Sequence, residues 1–110
     1  MKTFVTAALA MTLAGASAHV LANADLSKAT ELAKANGCYS CHAKDEKVVG
    51  PAFKAIAAKY AGDSGATATL VQSIQNGSKG KWGRIPMPAH SSMSGEDLKT
   101  LAQWVLSQKD

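Results

Sequence analysis

The sequence predicts an all-α domain of four or five short helices. Three observations predict it: apolar residues recur at three- and four-residue spacing in four separate stretches, no stretch alternates apolar and polar residues as a half-buried strand does, and Gly and Pro punctuate the stretches at their ends. No internal repeat is present, so the helices must close around a single core.

The first two dozen residues are set apart from these stretches. Lys2 supplies a charged start, Phe4 to Ala14 form an apolar run, and small residues follow, which is the pattern of a secretory signal. Cleavage after Ala24 is expected from Ala22-Asn23-Ala24, with Ala22 and Ala18 as alternatives. The apolar run is shorter than the roughly 20 residues needed to span a bilayer, and no second run of that length follows. The expected organisation is a signal peptide over 1–24 and one domain over 25–110, exported to the periplasm without stable membrane insertion.

The first helix is expected from Leu26 to Asn36, with Leu26, Ala29, Leu32 and Ala33 on one face and Asn36-Gly37 as its stop. A loop over 43–50 leads to Pro51, which suits the first turn of a second helix carrying Phe53, Ile56, Ala57 and Tyr60. Gly62-Asp63-Ser64-Gly65 ends that helix. A third runs from about Ala66 to Gln75 and is closed by Asn76-Gly77. Gly77 to Ser92 has no helical period, and its apolar Trp82, Ile85 and Met87 predict an ordered, packed loop. The last helix starts at Ser94, with Asp97 three residues on in capping-box fashion, and offers Leu98, Leu101, Ala102 and Val105 to the core. That helix is expected to pack across the first.

A domain of this size buries too little surface for a comfortable core. The segment Cys38-Tyr39-Ser40-Cys41-His42 supplies a remedy. C-x-x-C-H is the pattern by which a c-type haem is attached: two thiols two residues apart reach the two vinyl groups on one porphyrin edge, and the adjacent histidine becomes an axial ligand. A thioredoxin-like pair expects a βαβ context, a closed zinc site needs four ligands, and a plain disulfide leaves His42 unexplained. One haem c, covalently held by Cys38 and Cys41, is therefore expected. It also replaces aromatic bulk, since the chain has two phenylalanines and Phe4 falls in the signal.

The sixth iron position decides between a carrier and a catalytic or gas-binding site. Met87 stands in Ile85-Pro86-Met87-Pro88, where both prolines hold their predecessors out of helix, and it is the favoured metal ligand opposite His42. Met93 is an alternative that also fits a staple on Leu98; His90 is another, more simply read as a solvated side chain. Removing the signal takes Lys2 from twelve basic residues, leaving eleven against eight acidic ones, about +3, and two haem carboxylates reduce this to about +1. So small an excess argues against strong nucleic-acid binding, which needs a clustered basic stripe.

Over the whole mature length the chain resembles the small bacterial class I cytochromes c of the c-551/c-552 type. The shared stretches are Gly37-Cys38, Cys41-His42, Val49-Gly50-Pro51-Ala52, Ala57-Ala58-Lys59-Tyr60-Ala61-Gly62, Asn76-Gly77-Ser78, Trp82-Gly83, Ile85-Pro86-Met87-Pro88 and Leu101-Ala102 with Trp104-Val105-Leu106. The resemblance implies an all-α fold around one haem, Met87 as distal ligand, and soluble one-electron transfer without enzymatic bond chemistry. It further implies a hydrogen bond from His42 to the Pro51 carbonyl and one from Trp82 to a haem propionate. Arg84, Lys79 and Lys81 either border the propionates or form a solvated face. A departure is Ala89-His90 after Pro88, where relatives often carry Pro-Asn. The implied partners of this monomer are redox proteins such as a terminal oxidase, a nitrite reductase, a cytochrome c peroxidase or a bc1-type complex.

Overall fold

A computed structural model describes residues 26–109; the expected signal over 1–24 lies outside the described residues. The described residues form four α-helices, α1 (Leu26–Ala35), α2 (Phe53–Lys59), α3 (Ala66–Asn76) and α4 (Gly95–Leu106), with a 3-10 turn at Cys38–Ser40. Among the described residues there is no strand beyond two isolated bridges, His42 with Lys47 and Ser78 with Met87. No helix among them is long and apolar enough to cross a membrane.

The last helix organises the others, because α1, α2 and α3 all pack on it. Its position follows from a period that places Leu98, Leu101, Ala102 and Val105 on one buried stripe. Leu101 meets Ala29 and Ala33 of α1, whose small side chains let the two helices approach closely. Ala102 and Val105 meet Phe53, Ile56 and Leu70, which joins α2 and α3 to the same helix. Leu98 is 1% exposed, so cutting it back to alanine is expected to cost about 2–5 kcal/mol.

The ends of the helices follow local rules. Gly37, at φ +70°, takes the left-handed position just past α1 and turns the chain directly into the 3-10 turn. At α4 the Ser94 hydroxyl accepts from the Asp97 amide at 3.2 Å, as expected of a cap. The Asp97 carboxylate instead reaches Lys28 of α1 at 3.4 Å, a surface pair that adds little to stability.

Two expectations need correction. Pro51 is not in the first turn of α2: Ala52 is the N-cap and the helix begins at Phe53. The reason is that the first amides of the helix, those of Phe53 and Lys54, bond back to the carbonyls of Ala43 and Lys44, at 2.9 and 3.1 Å, which leaves the Pro51 carbonyl outside the helix. Trp82 and Ile85 are not packed into the protein core, being 37% and 68% exposed; both line a cavity instead. Met93 packs against the cluster of Ala29, Ala33 and Leu101, so it belongs to the α1–α4 interface.

Candidate functional site

The end of α1 delivers the two cysteines on a single tight turn. Cys41 and His42 both donate their backbone amides to the Cys38 carbonyl, at 3.2 and 2.9 Å, which brings Cys38, Cys41 and His42 to one side of the chain. All three line a cavity of about 640 Å³, within the range of roughly 300–1,000 Å³ usual for sites that take a small molecule. Both thiols are free and half-buried. Burial pushes the Cys38 thiol above its usual pKa, because the low-dielectric surroundings disfavour the thiolate.

Tyr39, between the cysteines, meets Phe53 edge-on at 6.0 Å and Trp104 at 6.4 Å, and Phe53 meets Trp104 at 4.9 Å. These T-shaped contacts are the favoured arrangement of aromatic quadrupoles. They fasten the motif to α2 and α4, so the thiols are set by the core and not by the turn alone.

The loop after the motif closes back on it. The amides of Val49 and Gly50 both donate to the Cys41 carbonyl, at 3.2 and 2.7 Å, and this lays Gly50 against the His42 ring. A Cβ at position 50 would stand 2.6 Å from His42 Cε1, so only glycine permits the approach. The next residue turns its carbonyl to the ring, with His42 Nδ1 at 2.7 Å from the Pro51 oxygen. A carbonyl can only accept, so Nδ1 carries a proton, and the tautomer this selects leaves the lone pair on Nε2. Phe53 stacks on the ring at 5.1 Å with 22° between planes. His42 is thus gripped by Gly50, Pro51 and Phe53, with one nitrogen free for a metal.

The loop between α3 and α4 supplies a further part of the lining, Ser78 and the run from Gly80 to Pro88. Ser78 and Met87 exchange two backbone hydrogen bonds, 3.1 and 2.8 Å long, and this bridge sets the half-buried Met87 at the cavity. Gly77, at φ +79°, makes the turn into the bridge, and a Cβ there would fall 2.7 Å from the Met87 oxygen. Met93 and His90 are not among the lining residues; the His90 amide donates to Ile74 at 2.9 Å, which ties that part of the loop to α3.

Lys47, Lys81 and Arg84 are the charged residues of the lining, and no carboxylate joins them. Lys81 donates to Ser73 at 3.2 Å, while Lys79 does not line the cavity. Trp82 lines it too, and the Lys59 ammonium sits 4.6 Å from the centre of its ring. An apolar body with an anionic edge is the kind of ligand such a cavity accepts. The donor set fits a haem: two free thiols on one turn, an imidazole with Nε2 free, a thioether in the same lining, and exposed cations for the carboxylates.

The family model for cytochrome c matches residues 26–109. The chain belongs to the cytochrome c family. It is 58% identical over 78 residues to cytochrome c-551 of Pseudomonas aeruginosa, covering 71% of this chain and 74% of that protein. It is 51% identical over 79 residues to cytochrome c-552 of Nitrosomonas europaea, covering 72% of this chain and 77% of that protein. The crystal structure of wild-type Nitrosomonas europaea cytochrome c552 superposes with a TM-score of 0.70 at 50% identity, over 73% of this chain and 99% of that one. The class 1 cytochrome MtoD of Sideroxydans lithotrophicus ES-1 gives 0.68 at 33% identity, over 76% and 96%. This cytochrome c is accordingly a small all-α class I protein that carries one covalent haem c at the Cys38 and Cys41 thiols and serves as a monohaem electron carrier between redox partners.

Of the residues expected at the site, Cys38, Cys41, His42, Pro51, Trp82 and Met87 all border the one cavity. Gly50, Phe53 and Ser78 complete it without having been assigned a role at the site. None of the three carries a local signal of its function, because each depends on contacts with a distant segment.

Proposed function

We propose that this cytochrome is a soluble periplasmic one-electron shuttle whose haem iron is held by His42 and Met87, and that it performs no bond chemistry on a substrate. The observation that carries this reading is that His42 and Met87 line the same cavity, whereas Met93 and His90 do not. When bound, the haem supplies a metal centre that exchanges one electron between ferric and ferrous states, with a potential raised by a thioether ligand.

The protein's own residues then have two tasks. His42, clamped between Gly50, Phe53 and the Pro51 carbonyl, offers Nε2 in a fixed orientation, and the hydrogen bond at Nδ1 makes the ring a stronger donor. Met87, held by Ser78 through the backbone and flanked by Pro86 and Pro88, offers its sulfur from a chain segment with little freedom to move. Ligands that stay put in both oxidation states keep reorganisation small. Trp82 is assigned as a donor to a propionate; its indole N–H meets no acceptor among the described residues.

Electrons enter and leave at a small apolar patch around Cys41, Ala43, Val48, Ile85 and Pro88, of which Val48 and Ile85 are more than half exposed. Redox encounters use interfaces at the low end of the size range, and such a patch on a monomer suits one partner at a time. The proposed partners are a terminal oxidase, a nitrite reductase, a cytochrome c peroxidase or a bc1-type complex. Export by a signal over 1–24 would deliver the domain over 25–110 to the periplasm.

Potentiometric titration with visible spectroscopy, on protein matured with the haem-attachment machinery, tests the reading. A low-spin haem retained on denaturation, with a methionine-to-iron charge-transfer band, is the expected result. High-spin haem would point instead to an open sixth position and thus to a haem enzyme or gas sensor. Loss of haem on denaturation would overturn the attachment through Cys38 and Cys41.

A further inference from the structure

The ammonium of Lys59 has an unusual place for a helix-end lysine. It lies 4.6 Å from the centre of the Trp82 ring and 5.7 Å from the centre of the Tyr60 ring. Both rings line the haem cavity while Lys59 itself does not. Tyr60 comes from the end of α2 and Trp82 from the tip of the loop between α3 and α4, so one cation joins two wall segments that no backbone hydrogen bond connects.

Those wall segments differ in how well they are held. Tyr60 is half-buried and packs against the core cluster of Phe53, Ile56 and Leu70. Trp82 is more than a third exposed and stands between Gly80 and Gly83, both at positive φ, where the backbone gives its side chain little direction. An indole in such a segment needs a side-chain contact to keep its ring plane. A cation over the ring face supplies one, since the negative face of the quadrupole attracts it.

We propose that Lys59 is a positioning residue for Trp82, pinning the indole from outside so that its other face stays set as a wall of the haem cavity. The stem of Lys59 rises from the last turn of α2, where its charge also suits the helix end. Tyr60, anchored in the core, is the fixed side of this clasp, and Trp82 is the side that it restrains. The inference rests on Trp82 lining the cavity and holds whether or not the indole donates to a propionate.

The test uses the holoprotein labelled with ¹⁵N, in which the two indole N–H groups, Trp82 and Trp104, give separate signals. Lys59→Met removes the charge and keeps the length of the stem; Lys59→Arg keeps a cation that stacks on aromatic faces. Lys59→Met is expected to speed hydrogen exchange at the Trp82 indole about two- to fivefold, the range for an exposed cation–π contact, with Trp104 unchanged. Lys59→Arg is expected to restore the wild-type rate. The proposal is overturned if Lys59→Met leaves Trp82 exchange unchanged, if both indoles accelerate together as in a general loosening, or if Lys59→Arg matches Lys59→Met. The methionine-to-iron band, recorded on the same samples, reports the proposed axial ligation separately, so failure of one reading is distinguishable from failure of the other.

Discussion

Met87 is held by Ser78, not by its own side chain: the two residues exchange backbone hydrogen bonds of 2.8 and 3.1 Å, and the chain enters this bridge through Gly77 at φ +79° and ψ 171°. That backbone region is essentially closed to residues with a Cβ. A Cβ there would also press on the Met87 carbonyl at 2.7 Å.

Gly77→Ala is therefore expected to act at the iron from ten residues away in sequence. Strain of this kind costs about 1–3 kcal/mol, and the bridge can relieve it only by moving Met87. The expected outcome is a lower thermal midpoint together with a weakened methionine-to-iron charge-transfer band. A destabilised variant with a full-strength band would show that the Ser78 bridge does not set the ligand.

The two methionines of the described region separate cleanly. Met93 lies against Ala29, Ala33 and Leu101, where leucine is a volume-conserving replacement that usually costs less than about 1.5 kcal/mol. Met93→Leu should leave spectrum and potential nearly unchanged. Met87→Ala should abolish the methionine band and lower the potential, because the thioether that raises it is gone. Loss of the band in Met93→Leu and its survival in Met87→Ala would reverse the assignment.

Much of this was legible in the sequence, for identifiable reasons. The four helices carry the 3.6-residue period, Ser94 and Asp97 mark a cap by their spacing, and Pro86 and Pro88 advertise a constrained Met87. What stayed hidden depends on contacts between distant segments. Gly50 is needed because the loop folds back onto the Cys41 carbonyl and meets the His42 ring, and nothing within a few residues of Gly50 encodes that closure. Pro51 looked like a helix start because its φ suits one, yet the first amides of α2 find carbonyls in Ala43 and Lys44 instead. Trp82 and Ile85 are expected in a packed loop because apolar character does not distinguish a side chain facing protein from one facing a cofactor cavity.

Trp82→Phe keeps an aromatic wall and removes the indole donor. The propionate resonances and their titration in the holoprotein should shift, while those of the His42 ring stay as they are. Propionate shifts indistinguishable from wild type would reduce Trp82 to a packing role.

Gly50→Ala and Pro51→Ala probe the other side of the haem and should differ sharply. The added methyl at position 50 would lie 2.6 Å from His42 Cε1 and 3.0 Å from Nδ1. Neither the ring, stacked on Phe53 at 5.1 Å, nor the backbone, bound to Cys41 at 2.7 Å, can yield without breaking a contact. Gly50→Ala is thus expected to rotate the imidazole, lengthen its bond to the Pro51 carbonyl and destabilise by about 1–3 kcal/mol, the usual cost of overpacking. Pro51→Ala retains the carbonyl that accepts from Nδ1 and loses only the ring that restricts the chain. Its expected effect is a potential unchanged or modestly lowered, with faster exchange of the His42 ring N–H as the grip on it loosens. NMR of that N–H alongside potentiometry ranks the two variants: Gly50→Ala must perturb it more than Pro51→Ala. The opposite order would mean that proline rigidity, and not the missing Cβ of Gly50, holds the histidine in place.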